Sequence, residues 1–282
     1  MTLRVAVAQA SAAPYRPAEN RARSVALVEA AAADGAEFVI LPELMVSGYG
    51  VDPEGLAASA EALDGPTLAA WHEAAARLGI HIVGGFCERA GGDLYNAVMM
   101  VGPGGLAGHY RKLHLFDAEK SVFTAGDLGL PVYDLPFGRV GLCVCYDLRF
   151  VEVVRALALK GADLIAVPTA WVGGFDADPF DAMGYIGQAR GAMVQANLSQ
   201  VFLCCASQPG AAAGIRFLGS SLIVDPYGAV LAGPLGQDAE EIAIAEIDLS
   251  AARAARVRSP LIRPREDRRT DVYRIAVDGA AY

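Results

Sequence analysis

Cys145 closes the apolar run Arg139-Val140-Gly141-Leu142-Cys143-Val144 and opens Tyr146-Asp147-Leu148-Arg149-Phe150, which continues into a helical pattern. A thiol on such a strand-to-helix turn faces the unpaired N–H groups and partial positive charge of a helix N-terminus. Those features favour thiolate and would hold an oxyanion formed when the sulfur attacks a carbonyl. Glu43 follows Phe38-Val39-Ile40-Leu41-Pro42, at the carboxyl end of an apolar strand, where open α/β sheets place their ligands. A carboxylate close to a thiol serves as general base, the more so when burial raises its pKa. Lys112 lies in the basic-aromatic stretch Tyr110-Arg111-Lys112-Leu113-His114-Leu115-Phe116, and beside a carbonyl under attack it would supply a positive donor. His109 and His114 leave a second scheme open, in which an imidazole activates the thiol. Taken singly, each group also has an inert explanation: a buried structural Cys, a solvated loop acid, a surface Lys.

Presenting these groups together requires strands whose ends converge. Short β-branched or apolar runs recur at Val5–Ala8, Phe38–Leu41, His81–Phe86, Ala97–Val101, Arg139–Val144, Leu164–Val167, Val201–Cys205, Ser221–Val224 and Ile242–Ile247. Ala-rich helical segments of crossover length lie between several of them, at Ala18–Ala33, Thr67–Leu78, Phe150–Lys160 and Asp181–Leu198. The class is α/β or α+β with layers. Gly35-Ala36-Glu37-Phe38-Val39-Ile40-Leu41-Pro42 and Gly161-Ala162-Asp163-Leu164-Ile165-Ala166-Val167-Pro168 share one order of Gly stop, acid, strand and Pro. They lie too far apart for a solenoid repeat, and suggest two similar halves, each a sheet with helices outside. Gly102-Pro103-Gly104-Gly105 marks a hairpin, so part of the sheet is antiparallel, and Gly173–Pro179 reads as a loop that covers a substrate.

Composition removes several alternatives. With 23 Lys+Arg against 32 Asp+Glu and a net charge of −9, the chain is a poor candidate for coating nucleic acid or an anionic membrane. Its 54% hydrophobic content supports a large core. Five cysteines, Cys87, Cys143, Cys145, Cys204 and Cys205, match no zinc spacing and read as reduced thiols of a cytoplasmic protein. The opening MTLRVAVAQA lacks the layout of a signal peptide, and the uncharged stretch ending at Ile215 carries too many Gln, Asn and Ser to span a bilayer, reading instead as a buried helix and strand. The Arg-rich tail from Ala251 to Arg274 is expected to clamp carboxylates of its own or a neighbouring subunit.

The blocks Leu41-Pro42-Glu43-Leu44 with Ser47-Gly48-Tyr49, then Tyr110 to Phe116, then Gly141 to Phe150 follow the order Glu, Lys, Cys. In these, and in Asp225-Pro226-Tyr227-Gly228 and Glu246-Ile247-Asp248-Leu249, the chain resembles the nitrilase superfamily of carbon–nitrogen hydrolases over essentially its whole length. The resemblance implies a single domain over residues 1–282, folded as a four-layer αββα sandwich that pairs into a homodimer or higher oligomer, with an arm from about residue 250 as oligomer contact. It implies Cys145 as nucleophile, Glu43 as base, Lys112 and the Tyr146 backbone N–H as oxyanion donors, and Glu119 as a second acid orienting Lys112 or water, with neither metal nor cofactor. Two departures stand out: Val151 occupies a place where the family often has Pro, and Tyr146 one where nitrilases typically have Trp. The second favours amides over nitriles, and the form of the block looks like ω-amidases acting on dicarboxylic monoamides such as 2-oxoglutaramate. N-carbamoyl amides and nitriles are the alternatives within the superfamily, and a catalytically silent interaction protein is the alternative outside it. Tyr49, Trp171 and the loop to Tyr185 would shape the pocket, and Arg149 would either hold a substrate carboxylate or pair internally with Glu152.

Overall fold

The computed structural model of the chain describes residues 2–282. Its first sheet contains β1 (Thr2–Gln9), β2 (Phe38–Ile40), β3 (His81–Ala90), β4 (Asp93–Gly102) and β5 (Gly105–Arg111). The second contains β6 (Val132–Leu135), β7 (Gly138–Leu142), β8 (Leu164–Pro168) and β9 (Phe202–Ala206). A two-strand ribbon, β10 (Ala211–Ala212) with β11 (Ile215–Arg216), precedes β12 (Leu222–Val224) and β13 (Val230–Ala232), which finish the second sheet. Strand β14 (Glu241–Asp248) returns to the first sheet, and β15 (Ala276–Val277) with β16 (Ala280–Ala281) close the arm. The sheet orders are β14-β1-β2-β3-β4-β5 and β13-β12-β9-β8-β7-β6. Each has three parallel central strands, β1, β2, β3 and β7, β8, β9, with antiparallel strands at both sides.

The two-residue period of the strands separates the layers. Val5, Val7, Phe38 and Ile40 point into a core shared with Leu142, Ile165 and Leu203 of the second sheet. Ala6, Ala8, Val39 and Leu41 point the other way, onto Val28 and Ala31 of α1 (Pro17–Ala33). After α2 (Pro53–Ser59), α3 (Pro66–Leu78) brings Trp71, Ala74 and Ala75 to the same outer layer. The second sheet is covered by α4 (Val151–Leu159) and α5 (Gly187–Ser199). Helix α6 (Ser250–Ala254) follows β14. Strands buried on both faces read as continuous apolar runs, and for that reason they stand out in the sequence.

The two Gly-to-Pro echoes occupy equivalent places. Gly35 and Gly161, at φ +85° and +103°, end α1 and α4 and lead into the middle strand of each parallel trio, β2 and β8. Their Pro corners meet across the sheets, where the Glu43 N–H donates to the Thr169 carbonyl at 3.2 Å.

Several expectations need correction. α5 begins at Gly187 rather than Asp181, because the Asp181 carboxylate accepts the Met183 and Tyr185 N–H groups and folds residues 181–185 into a turn. The same helix is only half buried, with Val194 and Leu198 more than 50% exposed. Strand β7 stops at Leu142, three residues before Cys145. The short helix α2 and the edge strands β6 and β13 run for only seven, four and three residues, too short for a helical or strand period to mark them in the sequence. The Arg-rich arm clamps its own chain: Arg253 and Arg256 pair with buried Asp163 at 2.8 and 2.9 Å. Arg265 donates to the carbonyls of Ala158, Ser199 and Gln200, at the C-terminal ends of α4 and α5, where helix dipoles favour a cation. No described helix is long and apolar enough to cross a membrane.

Candidate active site

Strand β2 ends and the chain turns through Pro42, so that Glu43 enters the space between the two sheets. The turn sits directly on β3: a Cβ at Gly85 would lie 2.3 Å from the Leu44 nitrogen and 2.8 Å from the Glu43 Cα, so only glycine admits this approach. Gln208 donates to the Glu43 carbonyl at 2.9 Å from the second sheet's side. Lys112 extends β5 by one residue, its N–H on the Asn96 carbonyl and its carbonyl receiving the Gly126 N–H, both at 2.8 Å. A single 3₁₀ turn over Asp117–Ser121 then supplies Glu119, which reaches back to the Phe116 N–H at 2.9 Å.

These side chains converge. Lys112 Nζ donates to Glu43 Oε1 at 2.7 Å and to the two Glu119 oxygens at 2.9 and 2.8 Å. Asn96 Nδ2 also donates to Glu43 Oε1, at 2.7 Å, and the Tyr49 hydroxyl donates to Glu119 Oε1 at 2.7 Å. Glu43, Lys112 and Glu119 are all essentially inaccessible to solvent, and Glu43 Oε2 has no hydrogen-bond partner. A buried cluster of two carboxylates and one ammonium is tolerated because each charge touches an opposite one. Burial raises the Glu43 pKa, against the opposing pull of Lys112. Burial also works against the Lys112 charge, but Glu43 and Glu119 outweigh it and hold the ammonium above its ordinary value. Burial and the neighbouring carboxylates likewise push the Tyr49 hydroxyl up, so it stays a donor.

Cys145 opens a second 3₁₀ turn, Cys145–Arg149, with φ +42°, a left-handed conformation that a side chain adopts only when its surroundings impose it. Here the structure departs from the expectation of a low-pKa thiol. The turn is one loop of 3₁₀ helix rather than the start of a long helix, and the Asp147 carboxylate accepts the Val144 N–H in front of it. Burial and then the Glu43 charge push the Cys145 thiol well up, so its resting form is S–H. Cys145 lines a cavity of about 340 Å³ together with Tyr146, Arg149, Trp171, Phe116 and Phe175. A second cavity of about 440 Å³ touches Tyr49 and shares Phe116, Val172 and Phe175 with the first. The rings of Phe116 and Phe175 meet edge to face at 4.9 Å between them.

The expected residues thus fall at one place, with Tyr49 on the carboxylate cluster and Trp171 and Arg149 on the cavity. Arg149 is exposed, and among the described residues no ion pair joins it to Glu152. The loop after Trp171 covers the cavity through Phe175. Neither histidine serves the thiol: His109 is bound to Glu88 at 2.8 Å, and His114 to Asp147 at 2.7 Å while stacked on Phe150. Asn96, Gln208 and Asp147 were not foreseen. Asn96 did carry a signal, as a polar residue one step before the apolar strand run starting at Ala97. Among the described residues no group of three or more His, Cys, Asp or Glu is arranged to hold a metal ion.

The carbon–nitrogen hydrolase family profile matches residues 4–257. A protein named nitrilase from Pyrococcus abyssi is 36% identical over 96% of this chain and 99% of its own length. The zebrafish (Danio rerio) omega-amidase NIT2 is 32% identical over 96% of each. Among solved structures, a mutant amidase from Nesterenkonia sp. AN1, in which the acetamide moiety of fluoroacetamide is bonded to the active-site cysteine, superposes with a TM-score of 0.76 at 25% identity, covering 96% of this chain and 95% of that one. With a buried Glu–Lys–Glu cluster, a cysteine on a left-handed elbow and a family match across most of its length, this chain belongs to the carbon–nitrogen hydrolase family and is a hydrolase of carbon–nitrogen bonds other than peptide bonds.

Proposed function

We propose that the chain is a cysteine amidohydrolase that converts a small aliphatic carboxamide to its acid and ammonia through a thioester on Cys145. The observation that carries this reading is the free Glu43 Oε2, a buried carboxylate oxygen without a partner in a site whose thiol rests protonated. Glu43 takes the S–H proton as sulfur bonds to the amide carbon, and the carbonyl π pair moves to oxygen. That oxyanion is received by Lys112 Nζ and the Tyr146 N–H. Lys112 acts as donor rather than base, since its ammonium is held above its ordinary value by both carboxylates. When the C=O re-forms, the C–N bond breaks and Glu43 passes its proton to nitrogen, releasing ammonia. Water then gives a proton to Glu43 and bonds to the thioester carbon, with Glu119 keeping Lys112 in place. Collapse breaks the C–S bond, and the sulfur recovers the proton from Glu43 as the acid leaves.

For the substrate, the unpaired Arg149 guanidinium on the cavity favours an acyl group ending in a carboxylate, as in a dicarboxylic monoamide such as 2-oxoglutaramate. Nitrile hydrolysis is the second reading, favoured by the name of the Pyrococcus relative. The exposed Val194 and Leu198 of α5, with Val151 of α4, support a homodimer through this helical face. Five unpaired thiols suit the reducing cytoplasm. The test is ammonia release from a panel of dicarboxylic monoamides, neutral amides of equal length, carbamoyl amides and nitriles. The monoamide is expected to lead, with activity lost in Cys145→Ala and its preference lost in Arg149→Ala. A panel led by nitriles, or turnover surviving Cys145→Ala, refutes the reading.

A further inference from the structure

We infer that Asp147 is a positioning residue that sets the spacing between Lys112 and Cys145, two groups carried by different sheets. Its carboxylate is fully buried and accepts four hydrogen bonds. Oδ1 receives the His114 N–H at 3.0 Å and His114 Nδ1 at 2.7 Å, and Oδ2 receives the Tyr110 hydroxyl at 2.7 Å and the Val144 N–H at 2.9 Å. Four donors exhaust the acceptor capacity of one carboxylate and compensate its burial.

The distribution of those bonds matters more than their number. One goes to Val144, the residue before the nucleophile, and closes the elbow on which Cys145 holds its positive φ. The other three cross to the extension of β5, to Tyr110 and His114, which flank Lys112 at two residues on either side. Tyr110 and Lys112 share one side of the strand and its one-residue extension, and the chain then bends at Leu113–His114, so Asp147 fixes the backbone both before and after Lys112. His114 is held in turn by Phe150, stacked at 3.6 Å just beyond the elbow. A carboxylate that served only to cap the 3₁₀ turn would need the Val144 bond alone. Asp147 instead ties the oxyanion donor of the first sheet to the nucleophile of the second. A shift of about 1 Å between such groups costs on the order of 10² in rate.

The inference rests on the amidase reading of Cys145 and Lys112, so its test includes an arm that needs no natural substrate. In Asp147→Asn, the amide cannot accept all four donors, and kcat is expected to fall about 10²-fold with KM within about threefold of the parent. Tyr110→Phe removes one donor and keeps the ring, and about a tenfold fall in kcat is expected, again with KM nearly unchanged. Alkylation of Cys145 by iodoacetamide, an amide-shaped electrophile, should slow in the same order. Thermal unfolding of each variant identifies the folded species, and if Asp147→Asn fails to fold, Tyr110→Phe decides alone. Native kcat and native alkylation in folded Tyr110→Phe would reduce Asp147 to a structural cap and overturn the proposal, as would a loss confined to KM. If the parent protein turned over no amide on the panel, the function reading would fail while the alkylation rates still decided the role of Asp147.

Discussion

Replacing Lys112 by Met removes the cation that the carboxylates of Glu43 and Glu119 share, at 2.7 to 2.9 Å, in a place water does not reach. Glu43 would keep Asn96, and Glu119 would keep Tyr49 and the Phe116 N–H, but none of these carries a positive charge. Breaking a buried ion pair by removing one partner costs about 3–5 kcal/mol, because the remaining charge is desolvated without compensation. The loss should therefore depend on pH. With Lys112 gone, its opposing pull on Glu43 is lost, so the native pKa of Glu43 rises further above the unfolded value of about 4.3, and protonation relieves the strain. A raised pKa in the folded state means stability that is present below the unfolded pKa and lost as pH rises through the folded one. The deficit of Lys112→Met relative to the parent should then be larger at pH 8 than at pH 5, by about 1.4 kcal/mol for each pKa unit of rise traversed. Urea unfolding at both pH values, followed by the fluorescence of Trp71 and Trp171, measures it. Equal deficits at the two pH values, or a deficit below about 1 kcal/mol at pH 8, would falsify the account of a mutually neutralised buried cluster.

Three further outcomes follow from the same geometry. Burial raises the Glu43 pKa above 4.5, so the acid limb of the kcat/KM profile should lie above the ordinary carboxylate range; in Glu43→Gln that limb should vanish and the rate fall by about 10²–10⁴, whereas a native acid limb in that variant would assign the base elsewhere. Gly85→Ala drives a Cβ into the backbone of the Glu43 turn and should lower kcat by about 10², and kinetics indistinguishable from the parent would show that the turn is free to move. Phe175→Ala should join the two cavities and shift kcat/KM toward longer acyl chains by about tenfold relative to short ones, a ratio read from a homologous amide series; an unmoved ratio would mean that Phe175 does not divide them.

Most of what positions the site could be read in advance because burial writes it into residue type. All nine apolar runs became strands, since strands covered on both faces have little choice but to be apolar. Glu43, Lys112 and Cys145 stood at element ends, where a charge or thiol beside an apolar run has a recognisable place. Edge strands β6 and β13 escaped because, though mostly apolar, they are only four and three residues long, too short for a strand period to stand out from the loops around them. Asp147 escaped for a different reason. Its four hydrogen bonds go to three residues at separations of 3, 33 and 37, and such a network has no local period to detect. The state of the thiol is hidden from the sequence on similar grounds, because a turn's N–H groups are visible there but the burial that pushes the thiol up, and then the Glu43 charge, come from elements far along the chain.

The pairing of β1 with β14 has a consequence for how the chain is made. Eight residue pairs, from Thr2 with Asp248 to Gln9 with Glu241, join the first strand to one that emerges late in synthesis. Translation at 5–20 residues per second leaves roughly 7–30 s between the emergence of β5 and that of β14, in which β1 to β5 can assemble while β1 still offers an open hydrogen-bonding edge. An uncovered, flat, apolar strand edge is a template for pairing with other nascent chains. The first half of this protein therefore carries an open pairing template until residue 248 is out, and chains truncated before β14 should aggregate rather than accumulate as a shorter folded domain.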